Sequence, residues 1–140
     1  MKVLQQCRTF FVLISSLFCF KTRQMIIFLS KDIFFWPVVK AAAADINSPV
    51  LIISKVDDAK LAEVESGVVK VLLIDLAAIE VSSLETVVSE MRLKLRPAKI
   101  IAFGSHVHQT RLASAEQAGC DLVLSRGQFS SNPESYLLGS

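Results

Sequence analysis

From Met25 onward the chain alternates between short unbroken apolar runs and longer stretches in which apolar residues recur at helical spacing. The runs are Met25–Leu29, Val50–Ile53, Val71–Ile74, Ile100–Phe103 and Leu122–Leu124. Each has the length of a strand, and an unbroken Val/Ile/Leu run marks a strand buried on both faces, as in a parallel sheet. The third run ends in a carboxylate, Asp75. In open α/β sheets functional groups gather outside the carboxyl ends of the strands, so Asp75 becomes the first candidate site residue.

The intervening segments predict helices. After Asp32, the residues Phe35, Trp36, Val38 and Val39 run into Ala41–Ala44. Pro37 must lie in the first turn, because deeper inside a helix it costs about 3 kcal/mol, so this helix starts near Phe35 or Trp36. Asp57 or Asp58 can cap a short second helix carrying Leu61 and Val64, with Gly67 as its stop. Ser82 or Ser83 opens a third, which presents Leu84, Val87, Val88, Met91 and Leu95 on one face and ends before Pro97. Gln109–Ala118 forms the fourth, with Gly119 as a left-handed cap. A fifth starts at Asn132 and Pro133 and stays short. Parallel strands joined by right-handed crossovers give a doubly wound three-layer sandwich.

Composition adds bounds rather than direction. A chain of 140 residues with 52% hydrophobic residues is sized for one domain with a real core. The net charge of +2, with both signs interspersed, excludes the strong field of a typical nucleic-acid or anionic-membrane binder. Cys7, Cys19 and Cys120 show no metal-ligand spacing, and their odd number cannot close an intrachain disulfide set, so reduced thiols and a cytoplasmic setting are expected. Residues 1–24 form a hydrophobic extension ahead of the 25–140 domain. The apolar stretch 9–20 is shorter than the roughly 20 residues of a membrane span and lacks a small-x-small cleavage site. Three readings stand: a true translation start at Met25, an export or membrane-anchor segment, or an extra structural element.

The order of elements, the Asp closing the third strand and the stretch Ala115-Glu-Gln-Ala118-Gly119-Cys-Asp121-Leu-Val-Leu124-Ser-Arg126 together resemble a response-regulator receiver domain. The resemblance covers most of residues 25–130. It implies a flavodoxin-like, five-stranded parallel sheet in the order 2-1-3-4-5 and a place in two-component phosphorelay signalling. It also implies a protein partner, a histidine kinase or a downstream regulator, with a second copy of the chain as a further candidate. Carried over by position, the phosphoacceptor falls on Asp75. The acidic pair that holds Mg²⁺ falls on Ser30 and Lys31, neither acidic. The hydroxyl residue ending the fourth strand falls on Gly104, with Ser105 beside it, and the basic residue after the fifth strand falls on Arg126 in place of lysine. This pattern resembles an atypical, or pseudo-, receiver.

The chemistry of these positions points the same way. Mg²⁺ prefers an octahedron of hard oxygens, usually including one or two carboxylates. A lysine near the metal position would repel a cation by a few kcal/mol at roughly 4 Å. Magnesium binding is therefore disfavoured unless Asp32 supplies a ligand, and no other cofactor is expected. Lys31 and Arg126 are instead expected to pair directly with Asp75, Arg126 bidentately. The leading expectation is a stand-alone receiver-like module that acts through protein contacts, without catalysis. The alternative is a small ligand-binding or catalytic flavodoxin-like domain using loops 30–32, 75–78 and 104–108, although GxGxxG and Walker signatures are absent. His106 and His108 lack a third metal ligand and read as solvated loop residues. The cluster Arg92, Lys94, Arg96 and Lys99 suits a helix C-terminus better than nucleic acid.

Overall fold

The computed structural model describes residues 24–138, so the readings offered for 1–24 lie, apart from Gln24, outside the described residues. Five strands form one parallel sheet in the order β2-β1-β3-β4-β5, the order implied by the receiver resemblance. They are β1 (Met25–Leu29), β2 (Val50–Ile53), β3 (Val69–Asp75), β4 (Lys99–Gly104) and β5 (Leu122–Ser125). The helices are α1 (Trp36–Asp45), α2 (Leu84–Leu95), α3 (Gln109–Gln117), α4 (Arg126–Ser131) and α5 (Pro133–Leu137).

Alternation of side chains along the strands divides the core between the two faces of the sheet. One face carries Ile26, Phe28, Leu73, Ile101 and Phe103 under α1, α4 and α5. Its centre is aromatic: Phe103 stacks with Phe35 at 5.0 Å and with Phe129 at 5.2 Å between ring centroids. The other face is aliphatic, with Ile27, Leu29, Leu72, Ile74 and Ile100 beneath Val88, Met91, Leu95 and Ala115 of α2 and α3. A bulge in β3 allows both: Met25 pairs with Val69 but Ile26 pairs with Val71, so Lys70 is the extra residue. Val69 then joins the aliphatic face and Val71 the aromatic one.

Three local details refine the expected elements. The segment between β2 and β3 is a 3₁₀ turn, Ala59–Glu63, rather than an α-helix; the Asp58 side chain caps it by accepting from the Lys60 amide. With only Leu61 and Val64 to bury, that segment lacks the apolar stripe that would hold a full helix on the sheet. Helix α2 opens at Ser83 and ends before Pro97, as expected, with Arg96 in the left-handed conformation, φ 49°, as its cap. The short helix expected at Asn132 and Pro133 forms as α5, and the unexpected α4 precedes it, starting directly at Arg126. Ser125 and Gln128 form a reciprocal capping box there: the Ser125 hydroxyl accepts from the Gln128 amide at 3.1 Å, and the Gln128 side chain accepts from the Ser125 amide at 2.8 Å.

Asp121, part of the stretch that resembles a receiver, is a structural staple. Its carboxylate accepts from the Ile100 amide at 2.8 Å and pairs with Arg92 at 3.2 Å, and Arg92 also donates to the Gly119 carbonyl. Cys120 is partly buried beside it, and burial pushes its thiol up to about 11, which keeps it protonated and unreactive at neutral pH. No helix among the described residues is long and apolar enough to cross a membrane.

Candidate functional site

The site lies at the carboxyl edge of the sheet, where β1, β3, β4 and β5 end. β3 delivers Asp75, only 1% exposed. Its carboxylate is fully engaged. One oxygen accepts from the Ser30 hydroxyl at 2.9 Å, the other accepts from the Ala77 amide at 3.1 Å, and a single Arg126 nitrogen lies 3.3 Å from both. Ser30, fully buried at the end of β1, also accepts from the Asp32 amide at 3.0 Å, so its hydroxyl ties the β1 loop to the carboxylate.

Arg126 is held from three sides. Its other terminal nitrogen donates to Asp32 at 2.8 Å. Its guanidinium carbon sits 5.1 Å from the Phe35 ring centroid and 5.6 Å from that of Phe103, within cation–π range. The capping box at Ser125 makes Arg126 the first residue of α4 and so sets the direction from which its side chain enters. The hydrogen bond from Arg126 is the main cause that holds the Asp32 carboxyl below its ordinary value, with the Phe34 amide, which donates at 3.0 Å, second.

Lys31 does not join this cluster. It is exposed and shares a groove with Leu29, Ser54, Lys55 and Glu80, while Arg126 stands among the aromatic rings. The reason is strand parity: Lys31 follows Leu29 on the aliphatic side, whereas Ser30 and Asp75 share the phase of Phe28 and Leu73. Asp32, expected as a stand-in metal ligand, is turned onto Arg126 instead. Gly104 leaves room for Leu76, since a Cβ there would lie 3.3 Å from the Leu76 side chain. Ser105 remains at the rim of a cavity of about 440 Å³ with Asp75, Leu76, Ala77, His108, Arg111 and Arg126.

Arg111 is a member the sequence reading missed. From the first turn of α3 it donates to the Leu76 carbonyl at 2.8 Å, fixing the turn that follows Asp75. The available signal was position: the helix after β4 begins at the same sheet edge as Asp75, so a cation in its first turn faces the same crevice. His106 and His108 are exposed, and no group of three or more His, Cys, Asp or Glu among the described residues is arranged to hold a metal. The donor set at Asp75 does not suit magnesium. Its two carboxylates share one guanidinium, and that fixed cation already lies where a divalent ion would need open oxygen ligands.

No protein-family model matches the sequence, and no curated protein matches it. Solved structures do match in three dimensions. A response regulator from Thermotoga maritima superposes with a TM-score of 0.66 at 13% identity, over 83% of this chain and 95% of that one. A CheY-like receiver domain from Methanospirillum hungatei gives 0.60 at 15% identity, over 83% and 94%. The phosphorylated cyanobacterial phytochrome response regulator RcpA gives 0.62 at 10% identity, again over 83% and 94%. The chain has the fold of response-regulator receiver domains.

Proposed function

We propose that the chain is a receiver-like signalling module that acts through protein contacts, with Asp75 locked in a fixed ion pair instead of cycling through a phosphoryl group. The observation that carries this reading is the saturation of the Asp75 carboxylate by Ser30, Ala77 and Arg126 at 1% exposure. A nucleophilic carboxylate needs a free lone pair and, for phosphoryl transfer, a metal to offset charge on the incoming group. Here the lone pairs face donors, and the charge is offset by a guanidinium that cannot leave without unpairing two carboxylates. A permanently organised edge of this kind suits a constitutive binding surface, read by a kinase-like or downstream regulatory protein.

The test is treatment of the full chain with acetyl phosphate and Mg²⁺, followed by intact mass measurement. The expected result is no gain of a phosphoryl group. A gain that disappears in Asp75→Asn would restore the conventional receiver reading. The converse substitution sharpens the test: Ser30→Asp with Arg126→Lys replaces the locking groups by an acidic ligand and a shorter-reach cation, and should make Asp75 modifiable in a Mg²⁺-dependent way.

A further inference from the structure

The cavity beside Asp75 holds a guanidinium, that of Arg111, with no direct ion-pair partner among the described residues. Arg126 is shared between two carboxylates, whereas Arg111 donates only to the Leu76 and Ile79 carbonyls and has no carboxylate at ion-pair distance among the described residues. Both guanidiniums line the same cavity, with Ser105, His108 and Gly104. Its one carboxylate, Asp75, has both oxygens occupied by donors of this chain. The capacity left over is donor-rich. A guanidinium offers five N–H groups, Arg111 uses a single nitrogen on its two carbonyls, and the Ser105 hydroxyl donates to no acceptor among the described residues. A guanidinium with unused N–H groups is satisfied best by an acceptor that carries negative charge, because a charge-assisted pair is stronger than a neutral one.

The surroundings decide what presents that anion. Val107, between the two cavity residues Ser105 and His108, is 68% exposed. Phe34, whose amide is bonded to the Asp32 carboxylate on Arg126, is 85% exposed, and Ile33 beside it is exposed as well. Large apolar side chains held outward on the loops that supply the site residues fit a macromolecular surface rather than a free ion. About 440 Å³ also has room for a side chain and its backbone, more than a bare oxyanion needs.

We propose that this pocket and its flanking loops dock a protein partner, which inserts an acidic side chain against Arg111 and Arg126 and lays apolar neighbours on Phe34 and on Val107. The proposal rests on the protein-contact reading above and names the partner's chemistry. It is tested by titrating the isotope-labelled full chain with two capped tripeptides that differ only in charge, acetyl-Phe-Glu-Leu-amide and acetyl-Phe-Gln-Leu-amide, and separately with inorganic phosphate. The glutamate peptide should shift Ser105, His108 and Arg111 resonances saturably. The glutamine peptide should bind at least about tenfold more weakly, the scale of one charge-assisted hydrogen bond. Phosphate should bind more weakly than the glutamate peptide.

Arg111→Gln should abolish the difference between the peptides. Val107→Ser, at an exposed position that leaves the fold untouched, should weaken both. Equal binding of the two peptides, phosphate binding as tight as that of the glutamate peptide, or no saturable shift would each overturn the proposal. Phosphodonor mass spectra of the same samples separate it from the locked-site reading. Modified Asp75 with intact peptide selectivity removes only the lock, and unmodified Asp75 without peptide selectivity removes only the docking site.

Discussion

The two faces of the sheet are built from different materials, and the functional edge inherits its character from one of them. On the aromatic face, Phe28, Phe35, Phe103 and Phe129 stack across β1, β4 and α4, and Arg126 lies against two of these rings on its way to Asp75. On the aliphatic face, the 3₁₀ turn Ala59–Glu63 gives thinner cover, and a groove of about 440 Å³ opens between it and Met91, Lys94 and Leu95 of α2. The same strands feed both sides. Rigid, wide rings supply a platform that fixes a guanidinium; branched aliphatics beside a short turn leave room to move.

Substitutions on the two faces should therefore differ in size. Phe129→Ala, at a fully buried ring between Phe103 and Tyr136, should lower unfolding stability in urea by about 3–5 kcal/mol and loosen Arg126 as well. Arg126→Met removes the partner of a buried carboxylate and should cost about 2–3 kcal/mol, less than for a fully buried pair because the arginine side chain is 34% exposed. Leu61→Ala, on the thinly covered face, should cost only about 1 kcal/mol by the same urea measurement, since a half-buried side chain at a groove leaves no closed cavity. A loss at Leu61 equal to that at Phe129 would erase the contrast between the faces.

The smallest effect concerns Asp32. Its carboxyl is held below the ordinary value of 3.8 mainly by Arg126, so its contribution is fully present above that value and fades as pH falls through the lower folded value. The stability difference between the wild type and Asp32→Asn should be constant from neutral pH down to about 5 and shrink below 3.8. A difference that instead changed between pH 5 and 8 would implicate another group.

What the sequence conveyed about this molecule followed from repetition, and what it hid followed from single side chains. The five apolar runs and their spacing were enough for the sheet and its crossovers, because burial on both faces leaves a continuous signal. The short second crossover segment was readable as a capped element but not as a 3₁₀ turn, since two apolar residues fit either geometry. Helix α4 was overlooked because its start depends on a capping box whose partners, Ser125 at the strand end and Gln128, flank Gly127, a poor helix former. At the site, Asp75 was visible as a carboxylate ending a strand. Lys31 and Arg126 are equal in charge, but strand parity turns Lys31 away while the start of α4 delivers Arg126 to Asp75. Arg111 was invisible as chemistry because its work is done on backbone carbonyls, which leave no trace in residue type.

The lock between Arg126 and Asp75 is tested most directly by a double-mutant cycle of Arg126→Met and Asp75→Asn on unfolding free energy. A buried carboxylate that depends on its arginine predicts a coupling of about 1.5 kcal/mol or more, with the double variant regaining much of the stability lost in Arg126→Met. Additive losses, with no coupling between the two positions, would contradict the account.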